Sequence, residues 1–572
     1  MRKVLSNGHL YAVFKERELT ADFYAYDTLF VENLRLSLRP NLTPIDGSIS
    51  RNSITILYYG DRVWLTRDIV VNNGGYEERC FFVNKGNSKV GIEGRYEFST
   101  PFLDILERDY PQFKLKRAVT KVQNRHIYRG IDGRVRGLEV VGEEFKLTLN
   151  ENEALETKFL ARPLVEGTFR IPTFKSADIP FEMKCFDNEH YQQVYLMAIN
   201  DLKSLIVDIG CYLFPLAGLP DFGAVFGRDS IWTAFFLLDE YPEIAKGVLM
   251  TLSKLQGRKL NEKTEEEPGK IPHEFRFGEL CQAGVIPFNP YYGSVDSTPL
   301  YVTLAGEYLR RTQDRETIKE IRENLTRAVE WILRRLEDGK GYIRYNKTPI
   351  GLENQGWKDW KNSIPDETGK QVRHPVAAVE VQGYAYWALK QASELELTDF
   401  DEKMLNRVAE NLKKRFNRDF WTGEYYGIAL DGENNLAKVV SSNMGHLLIT
   451  DILPKERREK VVEWLFRSDM FSGWGIRTLS SREVAYNPFS YHNGSVWPHD
   501  NAIIAIGLFK SGFHEEVKNL SSLIEACYRL GKIPELFSGL EGLSPIPHAN
   551  SPQAWSAAGI LKLLELLKKV GV

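Results

Sequence analysis

The chain has 572 residues, 43 % of them hydrophobic, and a net charge of −3 from 74 Lys and Arg against 77 Asp and Glu. That length exceeds what one hydrophobic core serves, so two or more domains are expected. Acidic and basic residues are interspersed, with no basic stripe and no polybasic tail. That pattern excludes nucleic acid and a membrane surface as expected partners, and no apolar run reaches the roughly 20 residues of a membrane span.

Up to about residue 175 the chain reads as strands. YAVFKERE (11–18), SITILYYG (53–60), RVWLTRDIVVN (62–72), ERCFFVNKG (78–86), KVGIEGRYEF (89–98) and FKLTLNENE (145–153) are short apolar or alternating runs bounded by turn residues. Their spacing predicts an antiparallel β-sandwich over 1–175. Arg51, Asn52, Arg67 and Asp68 read as turn or rim residues, and no catalytic cluster is evident in this half. The stretch 168–185, with Pro172 and Pro180, reads as a linker over the surface of a second domain. The division that follows is 1–175, a linker at 176–187, and 188–572.

From about Asn188 the period becomes helical, in two alternating kinds. Charged amphipathic helices are predicted at 189–213, 243–256, 315–338, 401–418, 454–467 and 513–530. Helices richer in small and apolar residues are predicted at 229–240, 297–312, 376–394, 443–451, 500–511 and 551–569. Six of each, alternating, describe an all-α double ring, the (α/α)6 barrel, with the apolar set as its inner wall.

The polar-aromatic loops all lead into inner helices. They are GRDS (227–230), YYGSVDST (291–298), NQGWKDW (354–360), SSNMGH (441–446), YHNGSVWPHDN (491–501), and PELFSG (534–539) with PHANSPQAW (547–555). In an alternating ring such loops share one end, where free helix N–H groups point into the mouth. The third and sixth inner helices of a hexagon face each other, so Asp359 and Glu535 are expected on opposing walls. Two carboxyl groups flanking one bond are what glycoside hydrolysis requires.

Asp359 lies between Trp357 and Trp360, where burial against indole would raise its pKa as a general acid needs. The plain alternative is a loop carboxylate paired with Lys358. Glu535 suits a water-activating base or is an ordinary loop glutamate. Asp366, Glu367 and Glu541 are rivals in exposed-looking turns. Arg228 with Asp229 can clamp two hydroxyls of a terminal sugar or cap a helix, and Asp296 and Asp500 carry the same double reading. Glu380 and Gln382 are placed to read hydroxyls.

His273, His446, His492, His499 and His548 lack the i, i+4 pairing of a helical zinc site, so they read as hydrogen-bonding pocket residues. Trp357, Trp474, Trp497 and Trp555 are core anchors or stacking platforms, Trp497 the favoured platform. The five scattered cysteines (Cys80, Cys185, Cys211, Cys281, Cys527) include no Cys-x-x-Cys pair and read as thiols of a reducing compartment. With no secretory leader in MRKVLSNGHLYAVF, a cytoplasmic protein without metal or cofactor is expected. A homo-oligomer is left open.

Together GRDS, GKIPHE (269–274), YYGSVDST, NQGWKD, VEVQGY (379–384), SNMGHLL (442–448), SGWGIRTLS (472–480), YHNGSVWPHDN and PELFSG resemble the archaeal and bacterial amylo-α-1,6-glucosidase (glycogen-debranching) type proteins. These are relatives of glucoamylases, bacterial trehalases and the glucosyl- and mannosylglycerate hydrolases. The resemblance implies an inverting exo-acting α-glucosidase with Asp359 as general acid and Glu535 as general base. It implies Arg228 and Asp229 as the terminal-sugar clamp, and a first subsite lined by Trp357, Lys358, Glu380, Gln382 and Trp497. Asp296, Gln355, Tyr491, His492, Asn493 and His499 complete the expected substrate-binding set. Trp360 departs from the small residue expected after the acid and leaves the leaving-group subsite open. The implied substrate is α-1,6-linked glucose on glycogen-like oligosaccharides. A small-solute glycosidase for glucosylglycerate, mannosylglycerate or trehalose, or a non-catalytic glycan-binding protein, are the alternatives.

Overall fold

The structure is a computed structural model that describes residues 2–15 and 20–572. The end of the first expected strand, residues 16–18 of YAVFKERE, lies outside the described residues.

The N-terminal region builds two antiparallel sheets. The first contains β1 (Arg2–Asn7), β2 (Leu10–Lys15), β3 (Thr20–Ala25) and β4 (Thr28–Arg39). The next strands are β5 (Thr43–Ile49), β6 (Ser53–Tyr59), β7 (Val63–Asn72), β8 (Gly75–Asn84), β9 (Val90–Ser99) and the short β10 (Leu103–Asp104). Then come β11 (Thr120–Val122), β12 (Arg125–Arg129), β13 (Val135–Val141), β14 (Glu144–Leu149) and β15 (Ala154–Val165). One sheet runs β1-β2-β3-β4-β9-β14, with β10 on β4, and the other β11-β12-β13-β15-β8-β7-β6-β5. Alternate residues of both sheets, among them Phe23, Val31, Leu65, Ile69, Phe82 and Phe159, meet in one core.

Arg67 is not a rim residue. It sits mid-strand in β7 on the inward face, where Glu78 accepts from its Nε at 2.7 Å and is itself 0 % exposed. The buried partner is what admits an arginine to an otherwise apolar alternation. Nor does the 168–185 stretch merely run over a surface. Ile171, Phe174, Ala177, Ile179 and Phe181 are buried in the core of the helical region, and β16 (Lys175–Ser176) pairs with β17 (Ile206–Asp208).

The helical region starts with α1 (Glu189–Leu205), which ends where Ile206 and Val207 turn to strand and pair, through β17, with β18 (Leu213–Pro215). After β19 (Val225–Phe226) come α2 (Gly227–Leu237) and α3 (Pro242–Leu255). β20 (Glu274–Phe275) precedes α4 (Glu279–Gln282), α5 (Ser297–Thr312), α6 (Arg315–Glu320) and α7 (Arg322–Asp338). β21 (Ala377–Ala378) leads into α8 (Val379–Glu394) and α9 (Glu402–Asp419), followed by β22 (Ala429–Leu430) and β23 (Leu436–Ala437). A 3-10 segment, Ser442–Ile449, precedes α10 (Lys455–Leu465), α11 (Pro498–Lys510), α12 (His514–Asn519), α13 (Ser521–Leu530) and α14 (Ala554–Lys569).

The expectation of an all-α (α/α)6 barrel behind a β-sandwich is therefore corrected. The chain is 33 % helix and 26 % strand. Its second half carries three small sheets of its own, its fourth inner element is 3-10 rather than α, and two expected outer helices are each broken in two. The long loops are buried, so their backbone groups need partners, and short strand pairing supplies them. The buried elements nonetheless contact in a closed cycle: α2, α5, α8, the 3-10 segment, α11, α14 and back to α2. In that cycle α8, which follows Asp359, and α14, which follows Glu535, stand three steps apart.

Candidate active site

Arg228 is the hub. It lies in the first turn of α2, 2 % exposed, with Nη1 donating to both oxygens of Asp296 at 3.0 Å and Nη2 to Oδ2 of Asp359 at 2.7 Å. Burial pulls its pKa down, but the carboxylates of Asp296, Asp359 and Asp229 outweigh that and hold it charged. Its entry is fixed by β19, which pairs Phe226 with Glu274, and by Gly227, whose N–H donates to the His273 carbonyl at 2.9 Å. A Cβ on Gly227 would meet the Pro272 carbonyl oxygen at 2.2 Å, so the chain can pass there only as glycine.

The two expected reacting carboxyls differ in surroundings. Asp359 keeps 21 % of its side chain open. Burial pushes its pKa up, Arg228 opposes and Asp296 adds to the rise, leaving it at about 6. Glu535 is 1 % exposed and accepts three hydrogen bonds: from the Tyr491 hydroxyl (2.5 Å) on Oε1, and from the Asn550 backbone (3.1 Å) and side-chain amide (3.2 Å) on Oε2. Burial raises it to about 7 against those donors. Asp229 feels the charge of both and is pushed up to about 7, chiefly by burial with Arg228 opposing. Asp229 and the Tyr491 hydroxyl are each within electrostatic reach of both Asp359 and Glu535.

Trp357, His492, Trp497 and His499 pack ring against ring, and Trp555 stacks on His499 at 3.7 Å. His273, His492 and His499 are held far below the usual imidazole range, first by burial and then by nearby cationic groups, and are neutral. Both ring nitrogens of His499, Nδ1 of His492, Oδ1 of Asn493 and Nε1 of Trp357 are buried without a protein partner. Buried polar atoms are costly when unpaired, so such a concentration marks a pocket built for a hydroxyl-rich ligand.

Other expected site residues are engaged elsewhere. Asp296 is a scaffold for Arg228 and also accepts from Ser294. Gln355 donates to Glu265 and to the Asn346 carbonyl. Gln382 uses both ends of its amide on the backbone of Ile343 and Ala378. Lys358 donates to the Thr478 carbonyl at 2.6 Å; burial lowers its pKa to about 8, opposed by Asp500 and Glu380. Glu380 accepts from Asn443 and keeps Oε1 unpaired, so it still has an atom for a ligand. Trp497 is 1 % exposed and enclosed by rings, a wall rather than an open platform. Trp360, 51 % exposed, is the open indole, 6.4 Å from the Tyr491 ring.

The rivals fall away. Asp366 accepts bonds within its own turn and Glu541 is exposed. Sequence reasoning did not single out Asn550, and its signal was faint: an Asn-Ser-Pro turn 15 residues beyond Glu535. Asp500 accepts from His446 at 2.6 Å, and His446 meets the Tyr384 hydroxyl at 2.5 Å, a buried chain beneath the rings.

The comparisons give the class, the glycoside hydrolases. The family described as Amylo-alpha-1,6-glucosidase matches residues 251–562, more than half of the chain, and the protein belongs to that family. Two solved structures of a GH63 mannosylglycerate hydrolase from Thermus thermophilus are similar to it, one in complex with Tris and one with Tris and D-glycerate. Each aligns with a TM-score of 0.50 and 14 % identity, over 65 % of this chain and 99 % of the other. At that identity the likeness concerns the fold alone. No curated protein matches the chain.

Gly227→Ala is expected to displace Arg228 from Asp359 and lower kcat/KM by about 100-fold, since small misplacements at a reacting centre are that costly. Steady-state kinetics with circular dichroism as a folding control checks it.

Proposed function

We propose that the protein is an inverting, exo-acting α-glucosidase that removes α-1,6-linked glucose from glycogen-like oligosaccharides. Asp359 protonates the glycosidic oxygen while Glu535 deprotonates a water on the opposite face of the ring. Asp229 and Arg228, whose Nε is buried without a partner, hold the terminal sugar. The observation that carries the reading is the unequal solvation of two carboxyls around one pocket. Glu535 is ringed by donors that favour its ionised form, and Asp359 is the more open of the two. Titration taken alone would give the proton to Glu535, whose value is higher.

For the leaving group, Trp360 offers an exposed face beside Asp359, suited to a second sugar ring. A glycerate leaving group would instead need a free cation. The charge of Arg228 is already met by Asp296 and Asp359, and Lys358 gives its ammonium to the Thr478 carbonyl. That favours an oligosaccharide over a small acidic solute.

A screen of α-glucosides followed by anomer-resolved proton NMR tests the reading: β-glucose appears first if inversion is right, α-glucose first overturns it. Asp359→Asn and Glu535→Gln are each expected to cut kcat by about 10²–10⁴. The reaction needs the singly protonated pair, base ionised and acid protonated, so activity falls at low pH where the pair takes up a second proton and at high pH where it loses its last. With values of about 6 and 7 for the two carboxyls, kcat/KM should trace a narrow bell with limbs near those pH values, belonging to the pair rather than to either residue. Trp360→Ala should raise KM for α-1,6 disaccharides several-fold while leaving aryl glucosides, with their own flat leaving group, less affected.

A further inference from the structure

We propose that Asp27, in the N-terminal region, is a positioning residue for the reaction, holding β20 so that Arg228 and Asp359 stay in register. The inference rests on Asp359 being a reacting carboxyl.

Asp27 and Tyr26 form the two-residue turn between β3 and β4, both with positive φ (55° and 50°). Such a turn fits a hairpin's twist but normally selects Asn or Gly, so here the tip is held in place by what it touches. Asp27 is buried against the helical region. Its Oδ2 accepts from the Phe277 N–H at 2.7 Å and its Oδ1 from Arg276 at 3.4 Å. Arg276 donates through Nε to Glu274 at 2.7 Å and through Nη1 to the Asp221 carbonyl at 3.0 Å. Glu274 belongs to β20, whose pairing with β19 sets the start of α2 and hence Arg228. The neighbouring His273 brings Nε2 to 3.9 Å from Oδ2 of Asp359.

A buried line of polar groups therefore runs from the first sheet to the reacting carboxyl: Asp27, Arg276 and Glu274, then neutral His273 and Arg228 beside Asp359. Asp27 acts on the site only through these intermediaries, so its effect is on placement. The charged and titratable groups around Asp359 are Arg228, Asp229, His273, Glu274, Asp296 and Tyr491. Asp104 clamps the same segment further along, accepting from the Leu280 N–H at 2.9 Å without bonding Arg276.

The test compares the best disaccharide substrate with α-glucosyl fluoride, whose leaving group needs no proton. Asp27→Asn should lower kcat on the disaccharide about tenfold and on the fluoride less than about twofold. Asp27→Glu should restore part of the loss. Asp104→Asn should lower the Tm without changing the ratio of the two rates. Equal losses on both substrates, or no loss, overturn the proposal. Should Asp27→Asn not fold, Arg276→Lys breaks the same line and carries the same expectation. Asp359→Asn run alongside separates the failures. If it keeps full disaccharide activity, the reading of Asp359 is wrong. If it loses the disaccharide but keeps the fluoride while Asp27→Asn behaves as the parent, only the positioning role falls.

Discussion

Taking a guanidinium out of water costs several kcal/mol, and that cost is recovered only where carboxylates and good hydrogen bonds stand ready. Arg228 has Asp296 on one terminal nitrogen and Asp359 on the other. Everything else in the site is arranged so that this buried fork can exist. Gly227 lets the chain approach Pro272, β19 and β20 fix the approach angle, and Ser294 steadies Asp296. Asp359 is thereby tied to a fixed point in the fold although it sits in a loop.

The second carboxyl is secured by different means. Among the described residues no cation pairs with Glu535; its oxygens are met by a phenol and by the amides of Asn550, and its own N–H returns a bond to the Asn550 carbonyl at 2.8 Å. One acid is thus governed by charge and the other by dipoles and burial. Neutral imidazoles between them carry a donor and an acceptor each, so the pocket lining can answer a sugar hydroxyl in either sense.

Much of this was legible in the residues themselves. The loops leading into buried helices are dense in Asn, Asp, Trp and His, and that density marked Asp359, Glu535, Arg228 and Asp229 as candidates. What could not be read was partnership. Nothing in the spacing says that Gln382 will give its amide to the backbone of Ile343, or that Trp497 will be walled in while Trp360 stands open. Arg67 looked like a rim residue because its buried partner, Glu78, lies on the neighbouring strand. The 3-10 segment Ser442–Ile449 and the short strands escaped for a related reason. They are set by backbone pairing across long sequence separations, and side-chain periodicity is silent about it. The Asp27 turn lies in a half that offered no chemical pattern at all.

The cycle of buried elements closes where α14 docks on α2, joining residues some three hundred positions apart. A ribosome delivers α2 long before α14, so until that final docking the apolar flank of α2 is left bare and the pocket lacks a wall. Closing the ring is therefore a long-range contact of the kind that forms slowly, and it covers apolar surface that the earlier helices present.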